Sequence, residues 1–348
     1  MRMMKFSPSI AAGLGSINSI GEVLSDLQMK DIILVSGETS YSMFGQTVKK
    51  SLESHGFMVH EIIGQFNPTN EGIEKLRADL FSAGSEKIPL VALGGGVVID
   101  LCKYVASELE RQLIVIPTLL SSDAIASGYS VIRNGSVNTA IRTKSPNMII
   151  GDYDILKRQP KKYVAAGVGD MLSKVSALFD WRLSFWMGGE SYNDFAMTVA
   201  RSTTELLQKR ILDVAKMNYI GIETLFLSEV TDGYLMELAG STRVAAGSEH
   251  LFTFALEPLE PGGLHGFYCG LGTIMMSYLQ SRDNLDIRGY LQAAGLPTNI
   301  EEAGIKRENV ISALTRAHKM RQWYTILGVN GLSEGSAERL ARYTQIIE

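Results

Sequence analysis

The run Leu93-Gly94-Gly95-Gly96-Val97-Val98-Ile99-Asp100-Leu101-Cys102-Lys103 sets three glycines between an apolar strand, Ile88 to Leu93, and an amphipathic helix running from about Val97 toward Glu108. Glycine lets a chain turn sharply and bring its backbone close to a phosphate. The free N–H groups at the start of the helix then face that charge with the positive end of the helix dipole. A tight strand-to-helix turn needs glycine for steric reasons too, so the turn alone leaves both readings open.

The first 150 residues alternate β-branched runs with helical patterns, which predicts stacked β-α units around a mostly parallel sheet. Strands are expected at Asp31 to Ser36, Phe57 to Ile63, Ile88 to Leu93, Leu113 to Ile116 and Met148 to Ile150. Helices are expected at Ser42 to His55 and Thr69 to Ala83, the second started by Asn67-Pro68-Thr69-Asn70. Ligands on such sheets bind beyond the carboxyl ends of the strands, where the glycine turn and Pro117-Thr118-Leu119-Leu120-Ser121 both fall. Beyond about Lys157 the pattern changes to a 3.6-residue period, in Tyr163 to Phe185, Tyr192 to Ala215, Tyr219 to Ala246 and Asn309 to Leu327. An α/β domain over residues 1–155 and an all-helical domain over 156–348 follow, with a substrate expected in the cleft between them.

Composition narrows the function. A formal charge of −4 over 348 residues, without a basic cluster, argues against nucleic acid. No apolar run approaches a membrane span, and Met1 to Pro8 reaches proline before any signal-peptide core, so a cytoplasmic protein is expected. Cys102 and Cys269 lie in apolar segments and read as buried packing residues.

Candidate chemistry lies in the second half. Gly167-Val168-Gly169-Asp170 puts a carboxylate on an apolar helix, and Gly247-Ser248-Glu249-His250 and Gly262-Gly263-Leu264-His265-Gly266 supply two of the five histidines. One Asp and two His can make a three-ligand divalent site with an open position. The same residues also read as a helix cap and as hydrogen-bonded core histidines, and spacing does not choose. Thr118 and Ser121 can form local turn bonds, Asp123 can cap the following helix, and Lys174 can neutralise Asp170 or reach solvent.

Five motifs in order, Gly-Gly-Gly-x-x-x-Asp-x-x-Lys at 94–103, Pro-Thr-x-x-Ser-x-Asp-x-Ile-Ala-Ser at 117–127, Gly-x-Gly-Asp at 167–170 with Asp180-Trp181-Arg182, Gly-Ser-Glu-His at 247–250 and Leu-His-Gly at 264–266, resemble glycerol-1-phosphate dehydrogenases. That group shares a superfamily with glycerol dehydrogenases, iron-containing alcohol dehydrogenases and dehydroquinate synthases. The resemblance runs from about Asp31 to Met276 and implies a Rossmann-like domain for NAD or NADP, then a helical domain holding one divalent metal, usually zinc, with nickel or iron as alternatives. By that resemblance Gly95, Gly96 and Asp100 fall on the cofactor motif that opens at Gly94, Thr118, Ser121 and Ser127 fall on further cofactor positions, and Asp123 falls on a substrate position. Asp170, His250 and His265 fall on the metal ligands.

The chain departs from that pattern at three places: Phe254 stands where a histidine is usual, Phe267 where a glutamate is usual, and Ser122 where a histidine is common. The first two remove polar handles from one wall of the expected cleft. The reading is an NAD(P)- and metal-dependent dehydrogenase interconverting glycerol 1-phosphate, or a related small polyol phosphate, with dihydroxyacetone phosphate, Asp170 and Asp123 serving its chemistry. A dehydroquinate-synthase-like cyclase using NAD transiently and a cofactor-binding protein without catalysis are the alternatives. The choice between NAD and NADP stays open at Ser36-Gly37-Glu38-Thr39, as does a homo-oligomeric state.

Overall fold

Strands apolar at every residue settle where both faces of a sheet are covered, and Leu90–Gly94 and Leu113–Pro117 are buried along their whole length. In the computed structural model, which describes residues 8–25, 30–83, 87–135, 137–281 and 286–348, they form the middle of a six-stranded parallel sheet. Its strands are β1 (Ser9–Gly13), β2 (Asp31–Gly37), β3 (Met58–Gly64), β4 (Leu90–Gly94), β5 (Leu113–Pro117) and β8 (Met148–Asp152), in the order β1-β8-β5-β4-β2-β3. A two-stranded antiparallel ribbon, β6 (Tyr129–Asn134) and β7 (Val137–Arg142), stands apart from it. Helices of eight residues or more are labelled α1 (Gln46–Glu53), α2 (Asn70–Ala83), α3 (Gly96–Glu108), α4 (Lys161–Leu172), α5 (Lys174–Gly188), α6 (Asp194–Lys209), α7 (Tyr219–Ala239), α8 (Ser248–Leu256), α9 (His265–Gln280), α10 (Arg307–Arg316) and α11 (Glu334–Tyr343).

The chain forms two compact units, one of Met1–Leu120 with Ala124–Gln159, the other of Ser121–Asp123 with Pro160–Glu348. The first is α/β, and the described residues of the second are helical with no strand. No helix among the described residues is long and apolar enough to cross a membrane. The reading of the first seven residues lies outside the described ones.

All five expected strands form, and the structure adds β1 and the β6–β7 ribbon. The ribbon turns at Asn134-Gly135, with Gly135 at φ 61°, but its strands are half exposed and polar enough to hide an apolar alternation. It is tied to α3 by Lys103, a nearly fully buried cation whose Nζ meets Asp100 Oδ1 at 2.9 Å and donates to the carbonyls of Ser127 (3.3 Å) and Tyr129, while Val131 N–H donates to Asp100 Oδ2 at 3.2 Å.

Helix ends were less legible. The expected Tyr163 to Phe185 helix breaks at Ser173, whose hydroxyl donates back to Asp170 O at 2.6 Å. Tyr219 to Ala246 stops at Ala239 because Gly240 takes the left-handed conformation, φ 66°. The expected Asn309 to Leu327 helix ends at Arg316, followed by a single 3-10 turn, Ala317–Lys319.

Asp152 closes the α/β unit at the end of β8. Its buried carboxylate accepts from Ile17 N–H (3.0 Å), Asp154 N–H (2.9 Å) and Ile155 N–H (3.2 Å), joining the amino-terminal turn to the last strand. Asp152→Ala strands three N–H groups and is expected to cost about 2–4 kcal/mol of stability, read as a lower urea midpoint.

Candidate active site

Three helices of the helical unit cross with almost no side chain between them. A Cβ on Gly169 of α4 would lie 2.0 Å from Gly266 O of α9, and one on Gly266 would lie 1.8 Å from Ala166 O of α4. A Cβ on Gly272 of α9 would come within 2.8 Å of Glu249 O of α8. Only glycine permits backbones so close. The residues beside these crossings are therefore forced together: Asp170 follows Gly169, His265 precedes Gly266, and His250 follows Glu249.

Asp170 Oδ1 lies 3.5 Å from His250 Nε2 and 4.0 Å from His265 Nε2. Cys269 Sγ, one turn after His265, lies 3.6 Å from His250 Nε2 and 3.4 Å from His265 Nε2. The four ligand atoms all fall within 4.8 Å of one another. Donors about 2.1 Å from a tetrahedral ion lie about 3.4 Å apart, so these spacings fit a single divalent ion. Oxygen, imidazole and sulfur donors suit zinc, nickel, cobalt or iron rather than magnesium or calcium.

Each imidazole is gripped from behind. His250 Nδ1 meets Glu249 Oε1 at 2.9 Å, and the same oxygen accepts from Gly247 N–H at 2.7 Å. His265 Nδ1 meets Glu257 Oε1 at 2.8 Å. Carboxylates on Nδ1 keep a proton there and turn both Nε2 atoms toward Asp170 and Cys269, so that the proton lost on metal binding is the one on Nε2, as metal-binding histidines require.

Burial pulls both imidazoles toward neutrality, but Cys269 with the adjoining carboxylates, Asp170 and Glu249 for His250 and Glu257 for His265, holds their pKa values well above the usual range. Burial raises Cys269, yet the two imidazoles bring its thiol below its ordinary value. Asp170 is likewise burdened by burial and still held well below the carboxylate range by its hydrogen bond to His250 and the charge of Lys174.

Lys174 is buried and paired with Asp232 at 2.9 Å, so it does not reach solvent. Burial works against its charge, but Asp232, Asp170 and Asp123 keep it protonated. Burial, reinforced by the charges of Asp170 and Asp123, pushes the fully buried Glu229 well above the usual carboxyl range. Asp123 clusters with the helical unit: its N–H donates to Asp170 Oδ2 at 3.2 Å, and it opens only a short 3-10 turn, Asp123–Ile125. Ser121, partly exposed, belongs to the same unit.

The segment Asp180-Trp181-Arg182 serves the start of α8. Buried Asp180 accepts from Ser248 N–H and Ile326 N–H, both at 2.7 Å, and burial with the nearby Glu249 charge pushes its pKa up to about 6.

In the α/β unit, loops from the carboxyl ends of β2, β4 and β5 meet at the glycine turn. Ser40 Oγ lies 3.3 Å from Thr118 Oγ1, and Thr118 N–H donates to Gly94 O at 3.0 Å. Gly95 precedes the first turn of α3, and Gly95 and Gly96 are partly exposed. Asp100 and Ser127 instead sit in the buried network around Lys103. Sequence reasoning missed Glu249, Glu257 and Cys269. The spacing of four between His265 and Cys269 was a readable signal; Glu257 had none.

The profile of the iron-containing alcohol dehydrogenase family matches residues 11–160. The glycerol-1-phosphate dehydrogenase [NAD(P)+] of Hyperthermus butylicus is 35% identical, covering 100% of this chain and 99% of the relative. The chain belongs to the glycerol-1-phosphate dehydrogenase family. Members from Methanosarcina mazei (35% identical; 99% of this chain, 97% of the relative) and Pyrococcus horikoshii (33%; 100% of both) match it in the same way. Among solved structures, glycerol dehydrogenase from Schizosaccharomyces pombe shares the family's fold with a TM-score of 0.81 at 19% identity, covering 99% of this chain and 91% of that one. A probable glycerol dehydrogenase from Sinorhizobium meliloti gives 0.80 at 20% identity, covering 99% of both.

Gly266→Ala forces α4 and α9 apart, and is expected to cost about 1–3 kcal/mol of stability and to lower bound metal below one equivalent, read by calorimetry and elemental analysis. Because both imidazoles are held protonated without metal, loading must expel protons. Zinc affinity should therefore rise as pH is raised above the ordinary histidine range, with proton release seen when titrations are compared in buffers of different ionisation enthalpy.

Proposed function

We propose that this protein is a dehydrogenase, dependent on NAD(P) and on a divalent metal, that interconverts glycerol 1-phosphate and dihydroxyacetone phosphate. The observation that carries the reading is the convergence of Asp170, His250 and His265, each imidazole backed by its own carboxylate, in a chain whose full-length relatives bear that enzyme's name.

Asp170, His250 and His265 would hold the metal, zinc being the ion that best suits two neutral imidazoles and one carboxylate, and Cys269 stands as a fourth donor within reach. When bound, the metal supplies Lewis-acid polarisation of the C2 oxygen and the nicotinamide supplies or accepts the hydride. Glu249 and Glu257 keep both imidazoles aimed at one point. Asp123, hydrogen-bonded to Asp232, is placed to orient a substrate hydroxyl. The turn Gly94 to Gly96 leaves its backbone open to a pyrophosphate, with Thr118 and Ser121 as further cofactor contacts. Asp100 and Ser127 support that region through Lys103. The α/β domain is thus assigned to the nucleotide and the helical domain to metal and substrate, and two free, buried cysteines agree with a cytoplasmic setting.

Incubation of the zinc-loaded protein with glycerol 1-phosphate and NAD+ or NADP+ should produce net reduced nicotinamide. Exhaustive chelation should abolish turnover and zinc should restore it, while Asp170→Ala and His265→Ala should keep the fold, lose the metal and lower kcat by about a hundred- to a thousandfold. Turnover without net reduction would point to a cyclase; full activity in metal-free protein would sink the reading.

A further inference from the structure

Phe254 lies one turn after His250 on α8, so both side chains share a helix face. Its ring centroid stands 5.8 Å from the His250 ring and 6.4 Å from the His265 ring, beside the ligand cluster and not in a remote core. Over this ring sits the guanidinium of Arg321, 5.0 Å from the centroid. Arg321 follows the 3-10 turn Ala317–Lys319, which packs on α8.

The donors of Arg321 are almost unspent. Nη1 donates to Met320 O at 3.0 Å, and among the described residues no carboxylate pairs with it. The side chain is half-buried. Arg243 shows what a structural arginine of this protein looks like: it also covers a ring, that of Trp323 at 4.9 Å, but it is 1% exposed and gives its donors to Glu190 and to the carbonyls of Asp180, Ala246 and Tyr324. Stacking covers one face of a guanidinium and leaves its in-plane N–H fork available, the geometry that binds phosphate through two parallel bonds.

We infer that Arg321, seated on Phe254, is the anion-binding position of this site and takes the phosphate of a phosphomonoester substrate. The inference rests on the dehydrogenase reading above for the identity of that substrate. A three-carbon polyol phosphate places its phosphate within a few bonds of the carbon to be oxidised, so the cation that receives it must stand next to the ligand set. Arg321 does. Lys174, the buried cation beside Asp170, is already committed to Asp232 at 2.9 Å, so a dianion entering the site needs a further fixed positive charge besides the metal. Phe254 is then a positioning residue whose ring face holds the guanidinium.

The test is calorimetric titration of the zinc-loaded protein with inorganic phosphate, glycerol 1-phosphate and glycerol, on wild type, Arg321→Gln, Arg321→Lys, Phe254→Leu and Phe254→Tyr, each checked for an unchanged melting temperature. Arg321→Gln should weaken both phosphates by about ten- to a hundredfold, and Arg321→Lys should recover part of that loss. Phe254→Leu should weaken them by a smaller factor and Phe254→Tyr should restore them, which a merely structural role would not produce. Glycerol 1-phosphate bound by wild type and Arg321→Gln alike, no phosphate binding to wild type, or parallel loss of glycerol and glycerol 1-phosphate would each overturn the assignment. If phosphates bind through Arg321 but glycerol 1-phosphate yields no reduced nicotinamide, the dehydrogenase reading fails and the anion site stands.

Discussion

The contact on which the site depends is the bare crossing of α4 and α9. With Gly169 against Gly266 O and Gly266 against Ala166 O, the two helices touch through peptide groups, and side-chain length ceases to be a variable in their separation. That distance fixes Asp170 relative to His265 and Cys269. Gly272 against Glu249 O does the same for α8, so the three helices that carry the candidate ligands are registered by glycines that offer no side-chain chemistry themselves. A metal site needs its donors within tenths of an ångström, and rigid backbone contact supplies that better than packed side chains, which have rotamers to exchange.

Around this crossing the protein accepts a costly concentration of buried ionisable groups. Asp170, Asp232, Glu229 and Glu249 all lie in the interior with Lys174 as the central cation. Such a group is a poor source of stability, since burying one unpaired carboxylate costs several kcal/mol by itself. Its arrangement makes sense as preparation for a further positive charge. A divalent ion among Asp170, His250 and His265 would offset the surplus of carboxylates, and the two anchored imidazoles would give up the extra protons they otherwise hold.

What the sequence disclosed follows from the kind of force involved. Fully buried strands and the change of period near residue 157 are written in consecutive apolar residues, and the architecture could be read from them. Asp170, His250 and His265 stood out because each interrupts an apolar or glycine-rich run. Glu257 could not be found that way, because its partner His265 lies across a loop and an exposed-looking glutamate is the commonest thing on a surface. Cys269 reads as a buried packing residue and is buried, but only the fold reveals two imidazole nitrogens beside its sulfur. Asp100 and Lys103 illustrate a third case. Their motif resembled a ligand site, and the structure spends them on a buried ion pair that fastens the β6–β7 ribbon.

The nine residues of α8, with Glu257 at their end, carry His250, its anchor Glu249, the anchor of His265, and Phe254. On the proposed reading, metal-facing and substrate-facing duties are divided between successive turns of a single helix. If the proposed ligand set holds a metal, changes at positions 249, 250 or 257 would disturb coordination, whereas a change at 254 would alter what stands beside it while leaving those side chains in place. Such a division would give a lineage a short route to new specificity: the proposed ligand set stays as it is, and one side chain a turn away changes the surface a substrate meets.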